Sequence, residues 1–228
     1  MQRPGWAGKV EWVKADLLSP ESYSRHLDKA SAVVHSMGII LEADYKSILQ
    51  GKESPVSGLQ KAVGCFIGAA KSAEDKSQMT YQTMNTDSAI RLAKCASDAK
   101  IPTFVYISAA SGAPIVPQGY ISSKREAESV ILSSLPNLRS IFVRPTFMYD
   151  SSRKISVPIA LGGILGSEVN ALMGGKLSFL GMMVEKPVKV ATVGEAVVES
   201  IDDSKVNGVV GPKQIEVLAT SGWRKTML

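Results

Sequence analysis

The chain has 228 residues, of which 45% are hydrophobic and 21% charged, and its formal net charge is +5. That length buries a sizeable core as one domain, or one domain with a small C-terminal lobe, without disulfides or metals. No apolar run reaches the roughly 18 residues of a membrane span, and the scattered Lys and Arg residues form no dense basic run of the kind that tracks nucleic acid. Cys65 and Cys95 lie far apart and read as packing residues of a reducing compartment. With two separated histidines and no paired acids, a metal site is not expected. The first residues fit neither a signal peptide nor an amphipathic presequence.

Residues 10–15 are predicted to form a short strand ending at Asp16. Ser19 and Pro20 suit an N-cap and a first helical position, so 20–29 are predicted helical. An apolar strand over 31–35 ends in Ser36, Met37 and Gly38. A polar stretch from 42 to about 78 follows, with an apolar small-residue patch at 62–70; connections this long are usually functional. Over 81–99, Ala89, Leu92, Ala93 and Ala96 recur at helical spacing. A β-branched and aromatic strand over 103–107 ends at Ser108, a helix covers 119–135, and a buried strand over 140–143 ends at Arg144 and Pro145. Strands alternating with helices are the signature of βαβ units, so the fold class is α/β with a parallel sheet.

Beyond 150 the pattern loosens into a small-residue helix over 157–173, a loop over 174–187, a short strand over 188–190, a helix over 192–201 capped by Thr192, and a last strand over 208–211. This reads as a small lobe, 151–228, that would hold substrate or partner over the strand ends, where α/β proteins bind ligands.

The sharpest motif is Tyr120 and Lys124 at the start of the 119–135 helix. Spacing of i and i+4 puts both on one helical face. A phenol titrates near 10, and a neighbouring ammonium would favour its phenolate and lower that value. Lys124 could also donate to a ribose hydroxyl. Ser108, at the end of the preceding strand, could orient a substrate carbonyl, with Ser111 as the competing candidate. A tyrosine and lysine at this spacing recur often by chance; the strand, loop and helix around them give the motif its weight.

Residues 10–16, 33–38, Met84 and Asn85, 105–108, 120–124 and 144–149 resemble successive landmarks of the extended and atypical short-chain dehydrogenase/reductases. The run from Tyr120 to Glu128, with the run from Val33 to Glu42 upstream, is similar to the fungal Rossmann-domain proteins of the mitochondrial coenzyme Q biosynthetic complex. Those proteins are in turn similar to the NADPH-binding accessory subunit of respiratory complex I. The likeness runs from about residue 9 to residue 218. It implies NAD(P) as cofactor, with 9–150 as a partial Rossmann domain. It also implies proteins of a quinone-biosynthesis complex as partners, and a place on the matrix side of the mitochondrial inner membrane with peripheral membrane association.

On this resemblance Asp16 would accept from the adenine amino group with Leu17 beside the ring; a turn aspartate is the alternative. Ser36, Met37 and Gly38 would pass under the ribose and diphosphate, Gly38 allowing close backbone approach. Asn85 would hold the neighbouring strand end, and His35 would be structural. Arg144, Pro145, Thr146 and Phe147 would form the loop beside the nicotinamide. Tyr120 would be the acid/base, Lys124 its tuner and Ser108 the orienting hydroxyl.

The family pattern begins with a strand, a GxxGxxG turn and a helix, then a second strand, and this sequence contains none of them ahead of residue 10. The glycine turn presents backbone N–H groups to the pyrophosphate. Gly5 and Gly8 do not replace it, since no strand precedes them. The sheet is therefore expected to be an N-terminally truncated Rossmann-type sheet that binds NAD(P) weakly or not at all. Either the strands at 10–15 and 31–35 pair directly, or an edge is left open. The functional expectation is a binding and assembly protein of quinone biosynthesis, against an active NAD(P)-dependent oxidoreductase. Membrane attachment through 157–173 would need cations beside its apolar face, and the segment has few.

Overall fold

The computed structural model describes residues 5–40, 79–111, 117–150, 156–177 and 185–227. Within them, β1 (Val33–His35), β2 (Thr103–Ile107), β3 (Arg139–Val143), β4 (Met148–Tyr149), β5 (Val188–Lys189) and β6 (Gly208–Val210) are joined by α1 (Ser88–Asp98), α2 (Gln118–Ser134), α3 (Ser156–Leu172), α4 (Val190–Asp202) and α5 (Pro212–Thr226). A parallel sheet runs in the order β1-β2-β3-β6, and β4 and β5 form a separate parallel pair.

Alternation along the strands sorts side chains to two faces. Phe104, Tyr106 and Phe142 are fully buried with Ala89, Ala93 and Ala96 of α1 and with Ala127 and Ile131 of α2. The alanines let both helices lie close to the sheet. Val105, Ile141 and Val143 are buried on the other face with Val193, Ala196 and Val197 of α4 and Ile215, Leu218 and Ala219 of α5. The result is three layers, helix on sheet on helix. Residues 188–226, which the sequence places in the C-terminal portion, thus complete the main sheet and cover its second face.

A π-helical stretch, Gln82–Asp87, leads into α1. Its wider turns change which carbonyls find helical partners, and the Tyr106 hydroxyl donates to the carbonyl of Asn85 at 2.8 Å. At the other end of the sheet, the Arg139 guanidinium donates to Thr103 Oγ1 at 2.9 and 3.1 Å and to the carbonyls of Ile201 at 2.7 Å and Asp203 at 2.9 Å. Helix C-termini leave such carbonyls without internal partners, and a cation there also suits the helix dipole. Arg139 therefore closes the end of α4 against the sheet.

Several sequence expectations are corrected. Residues 10–15 form no strand; Val10, Trp12 and Val13 are exposed, and Trp12 Nε1 donates back to the carbonyl of Ala7 at 3.0 Å. β propensity needs a paired, half-buried surface, and this segment has none. Among the described residues β1 pairs only with β2. Residues 20–29 form two 3₁₀ turns, Pro20–Ser22 and Ser24–His26, with no side-chain cap from Ser19. The Ser19 hydroxyl turns back to Asp16 Oδ2 instead. Helix α4 starts two residues ahead of Thr192, directly after β5, so Thr192 lies within it. Helix α5 escaped the sequence reading, although Pro212 at its first turn and Ile215, Leu218 and Ala219 at helical spacing signal it. The polar stretch 42–78 and residues 178–184 of the expected loop lie outside the described residues.

Candidate functional site

Because the four strands of the main sheet are parallel, their C-terminal ends open on one side. Ser36 to Gly38 follow β1, Ser108 follows β2, Arg144 to Phe147 follow β3, and Tyr120 and Lys124 lie in the first two turns of α2.

Lys124 is 4% exposed. Its Nζ donates to the carbonyl of Ile107 at 2.9 Å, sits 3.5 Å from Tyr106 Oη, and lies 4.8 Å from the Tyr106 ring centroid and 5.7 Å from that of Tyr120. It has no ion pair among the described residues. Burial pushes its ammonium down to about 8, with Glu128 acting in the opposite sense and Arg125 in the same one. Burial also pushes the Tyr120 phenol above its ordinary value, and Arg125 opposes that shift. The sequence pointed to a phenol lowered by Lys124; with the ring half-buried, desolvation is the larger effect.

Asn85 fixes the segment after β1. Its Oδ1 accepts from the Ile39 N–H at 2.8 Å, while its Nδ2 donates to the Ile39 carbonyl at 3.2 Å and to Ser123 Oγ at 3.1 Å. A Cβ at Gly38 would lie 2.8 Å from Asn85 Oδ1 and 3.2 Å from Lys124 Nζ. Glycine at 38 thus makes room for two of the chain's own side chains. His35 is buried, with Nε2 2.9 Å from Ser88 Oγ and Nδ1 without a partner among the described residues. Burial and the Lys124 charge pull its pKa down to about 4, so it is neutral at neutral pH and suits the structural role expected.

A second polar cluster ties the strand ends to α2. The Glu128 carboxylate is buried and pairs with both Arg125 and Arg144. Arg125 also donates to Ser108 Oγ at 3.0 Å and to the carbonyls of Ala109 at 2.6 Å and Ala110 at 3.0 Å. The Ala110 N–H donates to the Pro145 carbonyl at 2.8 Å, joining the loops after β2 and β3. Arg125 and Glu128 were missed from the sequence. An acid one turn beyond Lys124, on the same helical face, was the available signal.

The structure thus brings Gly38, Ser108, Tyr120, Lys124 and the loop of Pro145 to the same end of the sheet. Asp16 and Leu17 serve other contacts. Asp16 Oδ1 accepts from the Leu18 N–H at 2.9 Å, a local turn, and Leu17 packs against the core. Ser36 is exposed and Met37 half-buried. Ser111 donates to the Glu185 carboxylate at 3.0 Å. Buried Thr146 donates to the Lys186 carbonyl at 2.7 Å, and half-buried Phe147 accepts from the Val188 N–H at 2.9 Å. Thr146 also lines a cleft of about 680 Å³ with Lys186, Val188, Pro212 and Ile215. Ser108, Tyr120 and Lys124 do not line it.

MIOREX complex component 2 of Saccharomyces cerevisiae (strain ATCC 204508 / S288c) is 35% identical over 230 residues, covering 92% of this chain and 82% of the yeast protein. The chain belongs to the family of that protein. No family model matches it. Among solved structures, MoeE5 in complex with UDP-glucose and NAD aligns at a TM-score of 0.52 and 16% identity, over 87% of this chain and 61% of that one. MoeE5 in complex with UDP-glucuronic acid and NAD aligns at 0.51 and 15%, over the same 87% and 61%. This chain therefore spans about three-fifths of the length of those structures, and at such identity the likeness establishes the Rossmann-type fold alone.

Proposed function

We propose that this protein is a dinucleotide-fold binding and assembly protein of mitochondrial quinone biosynthesis, working within a protein complex on the matrix side of the inner membrane. Its relationship to a yeast complex component supports the assembly role. Lys124 carries the ligand reading: a buried ammonium without an ion pair among the described residues, facing strand ends that also hold Arg125 and Arg144 against the single carboxylate of Glu128. That arrangement leaves net positive charge where α/β sheets take ligands, which suits an anionic nucleotide.

NAD(P) fits these residues in part. Lys124 would donate to a ribose hydroxyl, Ser36, Met37 and Gly38 would lie along the nucleotide, and Pro145, Thr146 and Phe147 would flank its nicotinamide. Asp16 and Leu17 would serve the adenine only by leaving their present contacts. When bound, the cofactor supplies hydride chemistry.

The second reading, an oxidoreductase with Tyr120 as acid/base and Ser108 as orienting hydroxyl, is favoured by the placement of Lys124 against the Tyr120 ring. Ubiquinone content, measured in yeast lacking MIOREX complex component 2 and expressing this chain, separates the two. The assembly reading expects equal restoration by the unaltered chain and by Tyr120→Phe. Loss of ubiquinone with Tyr120→Phe, the complex intact, would establish chemistry instead, and no restoration by either would overturn the quinone role.

A further inference from the structure

We propose that Arg125 is a positioning residue that holds the oxygen of the buried Ser108 hydroxyl, so that its proton is left to donate to a carbonyl or phenolate oxygen. The inference rests on Ser108 as the orienting hydroxyl of the second reading above, and adds what sets its direction. Arg125 directly follows Lys124 on α2, and its guanidinium bridges three successive residues after β2. Nη1 donates to Ser108 Oγ at 3.0 Å, and Nη2 donates to the carbonyls of Ala109 at 2.6 Å and Ala110 at 3.0 Å.

A guanidinium only donates, so the Ser108 oxygen is the acceptor in that contact. The Ser108 proton is then directed elsewhere, and among the described residues no hydrogen bond from it is present. A charged donor behind the oxygen makes that proton a stronger donor in turn. Its best complement is an oxygen that accepts and carries negative charge, as a carbonyl does in part and a phenolate does fully.

The guanidinium is itself held. Glu128, 3% exposed, takes Arg125 Nη1 at 2.9 Å and pairs with Arg144 on the far side. The Ser108 N–H donates to the Val143 carbonyl at 2.7 Å, which anchors the serine backbone to β3. A lysine at 125 would keep the charge but not the planar fork that spans three residues.

Replacing Ser108 by cysteine turns the link into a titration, read by thiolate ultraviolet absorbance with the unaltered chain subtracted to remove Cys65 and Cys95. A cation donating to the sulfur favours the thiolate. Ser108→Cys is expected to show a thiol ionisation constant at least tenfold larger than Ser108→Cys with Arg125→Met. Identical titrations in the two would overturn the proposal. If circular dichroism shows the Arg125→Met protein unfolded, Ser108→Cys with Arg125→Lys decides: a constant below that of Ser108→Cys alone supports the fork, and an equal one overturns it. The measurement needs no nucleotide and no complex, so its failure leaves the assembly reading standing, and failed restoration of ubiquinone leaves this one.

Discussion

The two ends of the parallel sheet carry cations in opposite circumstances, half-buried Arg139 at one and buried Lys124 at the other. At the N-terminal end, Arg139 places its donors on Thr103 and on the carbonyls of Ile201 and Asp203 at the end of α4. At the C-terminal end, Lys124 is buried among tyrosines with one close carbonyl and no ion pair among the described residues. A cation with its donors satisfied holds a fold together; a buried, under-compensated one lowers stability.

Substitutions that separate the two ends would break or sharpen this contrast. Arg139→Met strips the closure of α4 and should lower the unfolding free energy by about 3–4 kcal/mol in urea titrations. Acid comes next, through His35. Its folded pKa of about 4 lies below its ordinary value, so the folded state resists protonation. The stability it contributes is complete above about 6.5 and is lost as pH falls from there through about 4, by roughly 3 kcal/mol. His35→Gln should flatten that part of the stability profile, and an unchanged profile would assign the acid sensitivity elsewhere. Gly38→Ala introduces a Cβ only 2.8 Å from Asn85 Oδ1, and should cost about 2 kcal/mol with loss of amide protection at Ile39 in hydrogen exchange.

The central strands and their helices were legible because burial enforces period. The strand Thr103–Ile107 matches the sequence reading residue for residue, and α2 differs by one residue at each end. The 10–15 segment failed because strand formation depends on a partner that a local pattern does not report. In the site, Tyr120, Lys124 and Ser108 could be placed at the strand ends from topology, since a parallel sheet gathers those ends on one side. The link from Arg144 to Glu128 and the link from Arg125 to Ser108 could not, because they join residues 16 and 17 apart along the chain through side-chain reach. The direction of the Tyr120 shift was also hidden: charge neighbours follow from helical spacing, whereas desolvation depends on what the whole fold stacks above the ring.

The most direct test of the contrast is the unfolding free energy of Lys124→Met against the unaltered chain as pH is raised. Burial holds the Lys124 ammonium at about 8, below its ordinary value of 10.5, so the charged form is disfavoured in the folded state at neutral pH. The variant should be more stable at pH 7 by about 2 kcal/mol, and the gap should close as pH rises from about 8 through 10.5. A variant less stable at pH 7, with a gap indifferent to pH, would make Lys124 a structural cation like Arg139 and contradict the account.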